Sequence, residues 1–597
     1  MVSFRKSLLL MALLVVVTGI ASAQVFNPLS CTANAGVPPI ARAEGVAEEV
    51  GQVVIVCNGG NPTVAGAPIP TVNVQIFLNT NVTSRLVGNG SEAMLLIDEP
   101  APAIQSTCLA PGNCGLTSAN GNGTANYTGG SRYNVYQAVQ SGANSVTWLG
   151  VPVDPPGTAG NRIIRLTNVR ANANQLGVSS TLIPTSINMF ISISGTGSLA
   201  LTNPQLTVAF VQPGMTFSAT GGNYNQCEPG TYQYNITFTE RFGTAFRHNN
   251  PNYDDVTQPS GEDDIYHQYI PGKIYNTESM FTNASPAGGN VGMPAGTGVA
   301  TQGTRLIARF SNVPANVSLS VVNGSKNSSG DTANRVTGHD ANGAGGTVSY
   351  PSWTQPAFPG VPSASSGTSS VSLSGGAGVA VWEVVASNPG AISGLTFTVN
   401  VTYGSNPLPG LGTATVTGNY APTTTVFTAS STAPVPRFVD NPQSATTFTI
   451  NPCQTNILYP FVSNQAGFDT GLVVSNTSLD PYGTVPQRGP CNVYYYGATA
   501  GGGAAPATQT SGTVNEGTQL VFTLSSGGNL NIAATPGFQG YIIIRCNFQY
   551  GHGFAFVSDL GAQRLAMGYI PLILDQNMFD ESWTVTRTGA KSEALNQ

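Results

Sequence analysis

Short apolar runs that alternate with polar residues and stop at Gly, Pro, Asn or Ser recur along the whole 597-residue chain. A period of two belongs to half-buried strands, not to helices. The clearest run is Thr71 to Leu78, TVNVQIFL, where Val72, Val74, Ile76 and Leu78 share one face and Asn73, Gln75 and Phe77 the other. Slipping such a strand by one residue would turn its apolar face to water, so its register is strongly specified. Val53 to Cys57, Ala93 to Ile97, Val146 to Val151, Arg162 to Val169, Ile187 to Ile193 and Leu206 to Val211 supply the rest of a first unit, and comparable sets follow. The pattern predicts an all-β chain of tandem immunoglobulin-like β-sandwich domains with long Gly/Ser/Asn-rich loops.

The same punctuation divides the chain. Residues 1–23 read as a signal peptide, 24–214 as a first β-sandwich and 215–422 as a second, Ig-like one with long loop insertions. Residues 423–445 read as a Pro/Thr-rich extended linker, 446–574 as a C-terminal sandwich and 575–597 as a mobile tail. Trp382, in GVAVWEVV, is the natural core aromatic of the second unit, and the insertions around 241–303 and 324–368 are expected on the surface. RLTNVRAN, from Arg165 to Asn172, recurs as RFSNVPAN from Arg309 to Asn316. Duplication of a sandwich unit and convergent turn chemistry both account for this match. Under duplication, Asn168 and Asn312 cap strand ends through their side-chain amides.

Charge then narrows the partners. Only 8% of residues are charged, 21 Lys+Arg against 27 Asp+Glu, for a net −6. Nucleic acid is excluded as a partner, because neutralising phosphates needs clustered Lys and Arg. Heptad coiled coils and charged disorder fail on the scarcity of Glu, Lys and Leu and on the 41% hydrophobic content. Arg5 and Lys6, the apolar Leu8 to Val17 run and the small residues Ala21-Ser22-Ala23 form the three-part pattern of a secretory signal cleaved after Ala23. The chain is therefore expected to be exported, to the periplasm, cell surface or medium, with no transmembrane segment after cleavage. Its eight Cys read as disulfides. Cys31 with Cys57, and Cys108 with Cys114 across a turn-forming LAPGN, are the expected pairs, and Cys227, Cys453, Cys491 and Cys546 have no evident arrangement.

Catalytic signatures are missing from the sequence: no HExxH, no GxSxG, no phosphate-binding Gly-rich loop and no EF-hand. Catalysis is accordingly not expected. The segment holding Asp254, Asp255, Glu262, Asp263 and Asp264 offers crowded hard oxygens that suit Ca²⁺, against the plain reading of a solvated acidic loop. Asp98 and Glu99 are adjacent on a strand, so they point apart and make a poor acid/base pair. His552, flanked by Tyr550 and Phe554, could form a glycan platform or simply sit at a hairpin tip, and Tyr494, Tyr495 and Tyr496 admit the same two readings. His339 lies in the Gly-rich insertion and reads as plain loop.

The segments CNGGNPT, NVQIFLNTNVTSRL and SEAMLLIDEP, the RLTNVRAN strand, and the closing FVSNQAGFDTGLVVSNTS and GFQGYIIIRCNFQYGHGFAFVSD resemble a recurring set in exported bacterial multi-domain β-sandwich proteins of no established activity. The resemblance implies export and a bacterial origin, and no site residue. A secreted or cell-surface structural or adhesive protein is the expectation, with self-association or other envelope proteins as partners, since the chain has few charges with which to guard its strand edges. The alternative is a glycan-binding or carbohydrate-active extracellular protein.

Overall fold

The computed structural model describes residues 28–594 apart from 65, 101–104, 115–132, 179–182, 196–198, 227, 250–276, 282–292, 349–362, 405–412, 452, 485, 563 and 575–592. The signal segment and the five-acid Asp254 to Asp264 stretch thus lie outside the described residues, as does Cys227. Sheets dominate, and no described helix is long and apolar enough to cross a membrane.

In the first sandwich a seven-stranded sheet, with Gly157–Thr167 central between Val53–Gly59 and Met94–Ile97, faces a six-stranded sheet that contains Thr71–Leu78. The Thr71–Leu78 strand alternates as its sequence predicts, with Val72, Val74, Ile76 and Leu78 buried beside Trp148. Cys31 and Cys57 sit directly opposite on neighbouring strands, Cα atoms 4.0 Å apart, and are disulfide-bonded; Cys108 and Cys114 close the short LAPGN turn in the same way.

The second sandwich packs a five-stranded sheet on an eight-stranded one. Trp382 is fully buried, stacks on Phe397 with ring centroids 4.2 Å apart, and donates its Nε1–H to the Val322 carbonyl at 2.9 Å. The third sandwich pairs a seven-stranded sheet built on Thr455–Ser463 and Phe538–Cys546 with a five-stranded sheet built on Asp469–Asn476 and Gly551–Ser558. Cys491 and Cys546 are direct cross-strand neighbours and are bonded, and Cys453 is disulfide-bonded too.

Three sequence expectations change. The stretch after residue 422 is no free linker. Arg437 and Phe438 are fully buried, the Arg437 carbonyl accepts from Val46 N–H, the Ser430 carbonyl accepts from Leu86 N–H, and Gln443–Asn451 is a strand of the second sandwich. Its large side chains have a place to be buried, which a Pro and Thr count alone does not register. The 324–368 insertion supplies strands Gly324–Lys326, Thr332–His339 and Gly345–Val348 to the eight-stranded sheet, and its Ala333, Asn334 and Val336 are buried. Described parts of the 241–303 insertion are buried as well: Phe281 and Met293 cover Met94, Leu96 and Val135 on the outer face of the first sandwich. As for the tail, Glu593–Ala594 pairs with Leu572–Leu574, and residues 575–592 lie outside the described set.

The repeated octapeptide holds equivalent places. Both copies end a strand that is paired on both sides, and both carry Asn in the left-handed region, φ 60° at Asn168 and 57° at Asn312. Asn tolerates that conformation better than other residues with a Cβ. The Asn168 amide does not cap its own strand; it donates to the Phe281 carbonyl at 2.7 Å.

Candidate functional site

The alternation of Gly551–Ser558 buries Gly551, Ala555 and Val557 and turns His552, Phe554 and Phe556 outward. Phe554 and Phe556 are 46% and 47% exposed, large values for phenylalanine in a strand whose other face is core. Across the sheet, Phe554 opposes Val473, which opposes the exposed Val521, while His552 opposes Ser475. Phe556 opposes Gly568 on the edge strand, and a Cβ there would come within 2.8 Å of the Phe554 ring, so that ring lies over the glycine. Tyr550 is exposed in the turn before the strand, with φ 61°; its carbonyl accepts from both the N–H (3.0 Å) and the hydroxyl (2.7 Å) of Thr477. His552 and Phe554 therefore share one sheet face, and Tyr550 stands at its end.

At the open side of the same sandwich lies an apolar cavity of about 460 Å³ lined by Phe461, Phe468, Val557, Leu565 and Met567. Tyr569 donates to the Phe461 carbonyl beside it, and burial pushes the phenol up to about 12. The other sheet carries rings outward too. Tyr496 and Tyr541 are opposite in register and stack with centroids 4.9 Å apart at 12°, whereas Tyr495 points inward onto Phe538. Strand alternation thus splits the triple tyrosine into two outward rings and one core ring.

Asp98 and Glu99 each take an arginine: Asp98 pairs with Arg162 and accepts from Ile163 N–H, and Glu99 pairs with Arg165 at 3.0 Å. They are strand-end ion pairs, not an acid/base couple. Among the described residues no cluster of three or more His, Cys, Asp or Glu is arranged to hold a metal.

The sequence reading missed a buried ionic cluster between the first and second sandwiches. Arg42 is inaccessible to solvent; its guanidinium meets Glu48 at 2.7 Å and Glu278 at 2.8 Å, donates to the Thr304 hydroxyl at 2.9 Å and lies 4.7 Å from the centroid of Phe438. Burial acts to lower its pKa, but Glu278 and Glu48 outweigh it and hold the guanidinium above its ordinary value. Arg170 pairs with Glu92 at 3.3 Å and donates to the Glu278 carbonyl at 2.7 Å. The signal was present in ARAEGVAEEV, four charged residues within ten in a chain that has few. Arg42 and Arg170 belong to the first sandwich and Glu278 to an insertion of the second, so the cluster joins two domains, and pairing with hydrogen bonding offsets much of the cost of burying its charges.

These features define a class: a tandem, disulfide-linked β-sandwich protein with aromatic outer faces on its third unit. No protein-family profile matches the chain, and no curated protein does. Solved structures with some likeness include the C-terminal domain of the AgI/II polypeptide BspA of Streptococcus agalactiae, 7% identical over 70% of this chain and 99% of that one, TM-score 0.23. BcpA, the major pilin subunit of Bacillus cereus, is 8% identical over 72% of this chain and 89% of its own, TM-score 0.21. The full-length major pilin SpaD of Corynebacterium diphtheriae is 8% identical, covering 89% and 86%, TM-score 0.18. Likeness of that degree assigns no function.

Proposed function

We propose that the chain is a secreted or cell-surface structural and adhesive protein that works through contacts of its β-domains, chiefly with further copies of itself. The observation that carries this reading is the outward row of Phe554, Phe556 and Val521, together with the Tyr496–Tyr541 stack on the opposite sheet. One sandwich then offers two apolar faces, and a chain with so few charges has little repulsion to keep copies apart. The disulfides fit an oxidising compartment, which agrees with the export signal read at Arg5 to Ala23. Sedimentation velocity of the mature chain over a hundredfold concentration range should reveal reversible oligomers whose affinity is insensitive to salt. The F554S/F556S double variant should weaken them at least tenfold. A wild-type chain that stays monomeric throughout would remove self-association.

The spacing of the outward rings favours one second reading. Alternate residues on a strand stand about 7 Å apart, so His552, Phe554 and Phe556 form a row suited to stacking on the apolar faces of linked sugars. Sub-millimolar oligosaccharide binding by a monomer, lost in the same double variant, would favour that reading over the first.

A further inference from the structure

Arg335 is a half-buried cation with no acid beside it among the described residues. It stands on Thr332–His339, where its Nη1 donates to the carbonyls of Val381 (2.9 Å) and Val336 (3.3 Å) and reaches His339 Nε2 at 3.4 Å. Its guanidinium carbon lies 5.5 Å from the centroid of the Trp382 ring. Nε is shut away from water and has no hydrogen-bond partner. Among the described residues no carboxylate pairs with it, whereas Arg42, Arg170 and Arg305 are each matched to a glutamate. Burial, unopposed by any acid, pushes Arg335 down to about 10. Arg437 also lacks an acid, but its guanidinium donates to three main-chain carbonyls in a closed interior. Arg335 instead opens onto a cavity.

That cavity, about 550 Å³, lies between the edge strand Thr368–Val371 of one sheet and Thr332–His339 with Gly378–Ala386 of the other. Arg335 and His339 line it together with the serines 369, 370, 372 and 374. His339 Nδ1 lies 2.8 Å from the Asp340 carbonyl, which places the proton on Nδ1 and leaves Nε2 facing Arg335 as an acceptor. Burial lowers the pKa of His339, so the ring adds polarity without a second positive charge. The cleft thus combines one planar cation, incompletely hydrogen-bonded, with a bank of small hydroxyls; its one lining acid, Asp340, does not pair with the guanidinium, and its Oδ1 accepts from the Asn342 and Ala344 N–H groups. A guanidinium pairs best with a planar carboxylate, in a fork of two hydrogen bonds. Serine hydroxyls, which both donate and accept, match a carrier that bears hydroxyls of its own.

We propose that this cleft binds a uronic acid residue of an acidic polysaccharide, Arg335 receiving the sugar carboxylate and the serines its ring hydroxyls. The site is on the second sandwich and is independent of the ring faces of the third. Calorimetric titration of the full mature chain with trigalacturonate, maltotriose and acetate tests it. Trigalacturonate should bind, with maltotriose and acetate each at least tenfold weaker. R335Q should lose at least tenfold in trigalacturonate affinity, and the S370A/S372A variant, which leaves the guanidinium in place, should lose several-fold. F554S/F556S should bind as the wild type does, separating this site from the reading of the third sandwich. Should R335Q fail to fold, the serine variant and the ligand series decide. Absence of binding at millimolar trigalacturonate, equal affinity for maltotriose, or unchanged affinity in R335Q or in the serine variant would overturn the proposal; equal affinity for acetate would overturn the sugar assignment.

Discussion

Glu240 shows what burial does to a carboxylate that no arginine reaches. Its Oε1 accepts from Phe246 N–H at 2.8 Å, which favours ionisation, yet burial outweighs this and Asp331 adds to it, lifting the pKa to about 8. A carboxyl whose pKa is raised on folding binds its proton more tightly in the native state, so its contribution is fully present below about pH 4.5 and is lost as pH rises towards 8. Urea midpoints should therefore fall between pH 5 and pH 8 by more in the wild type than in E240Q, the difference amounting to a few kcal/mol. The repeated asparagines give a second comparison. Alanine at Asn168 or Asn312 must adopt a left-handed backbone, a cost of roughly 1 kcal/mol. N168A should lose about 1–2 kcal/mol more than N312A in the same denaturation experiment, because it also leaves the buried Phe281 carbonyl short of a donor. The sequence singled out both asparagines but not their left-handed backbone, since φ is not visible in a residue's identity, and it gave the Asn168 amide a capping role in place of its bond to Phe281. His552 and Phe554 were picked out as a pair by the sequence, but that they share one sheet face emerged only with the strand Gly551–Ser558, while the Arg335 cleft was hidden because its walls come from strands far apart in the chain.

Among the strands, legibility followed amphipathicity. TVNVQIFL could be read to the residue because its two faces differ in chemistry. The strands of the 324–368 insertion could not be read, because Gly324–Lys326 and Gly345–Val348 are short and polar and owe their pairing to Thr332–His339 between them. Tertiary context decides such strands. Disulfide pairing divides along the same line. Cys108 and Cys114 are joined by a local turn, but the Cys491–Cys546 bond, spanning 55 residues, depends on which two strands become neighbours. Replacing both Cys491 and Cys546 by alanine should cost roughly 2–4 kcal/mol through the larger freedom of the unfolded chain. Equilibrium unfolding of that variant against the wild type measures the loss, and the change should register in fluorescence of the third sandwich's tyrosines before any change in the other two.

Across the whole molecule, the Arg42 cluster ties the first two sandwiches together through buried ion pairs. Removing Glu278 would leave Arg42 buried with a single carboxylate, and breaking buried pairs costs roughly 3–5 kcal/mol. Calorimetry of the wild type should give one transition for both sandwiches, and E278A should lower that transition or divide it while leaving the third sandwich's unchanged. The chain passes from the first sandwich to the second between Gln212 and Met215, and two further segments tie them: Glu278 to Phe281 bonds to Arg42, Asn168 and Arg170, and the Arg437 carbonyl accepts from Val46 N–H. A pull on the two ends of the chain would therefore meet this pair as a single mechanical block. It would lengthen only when these ties give way together.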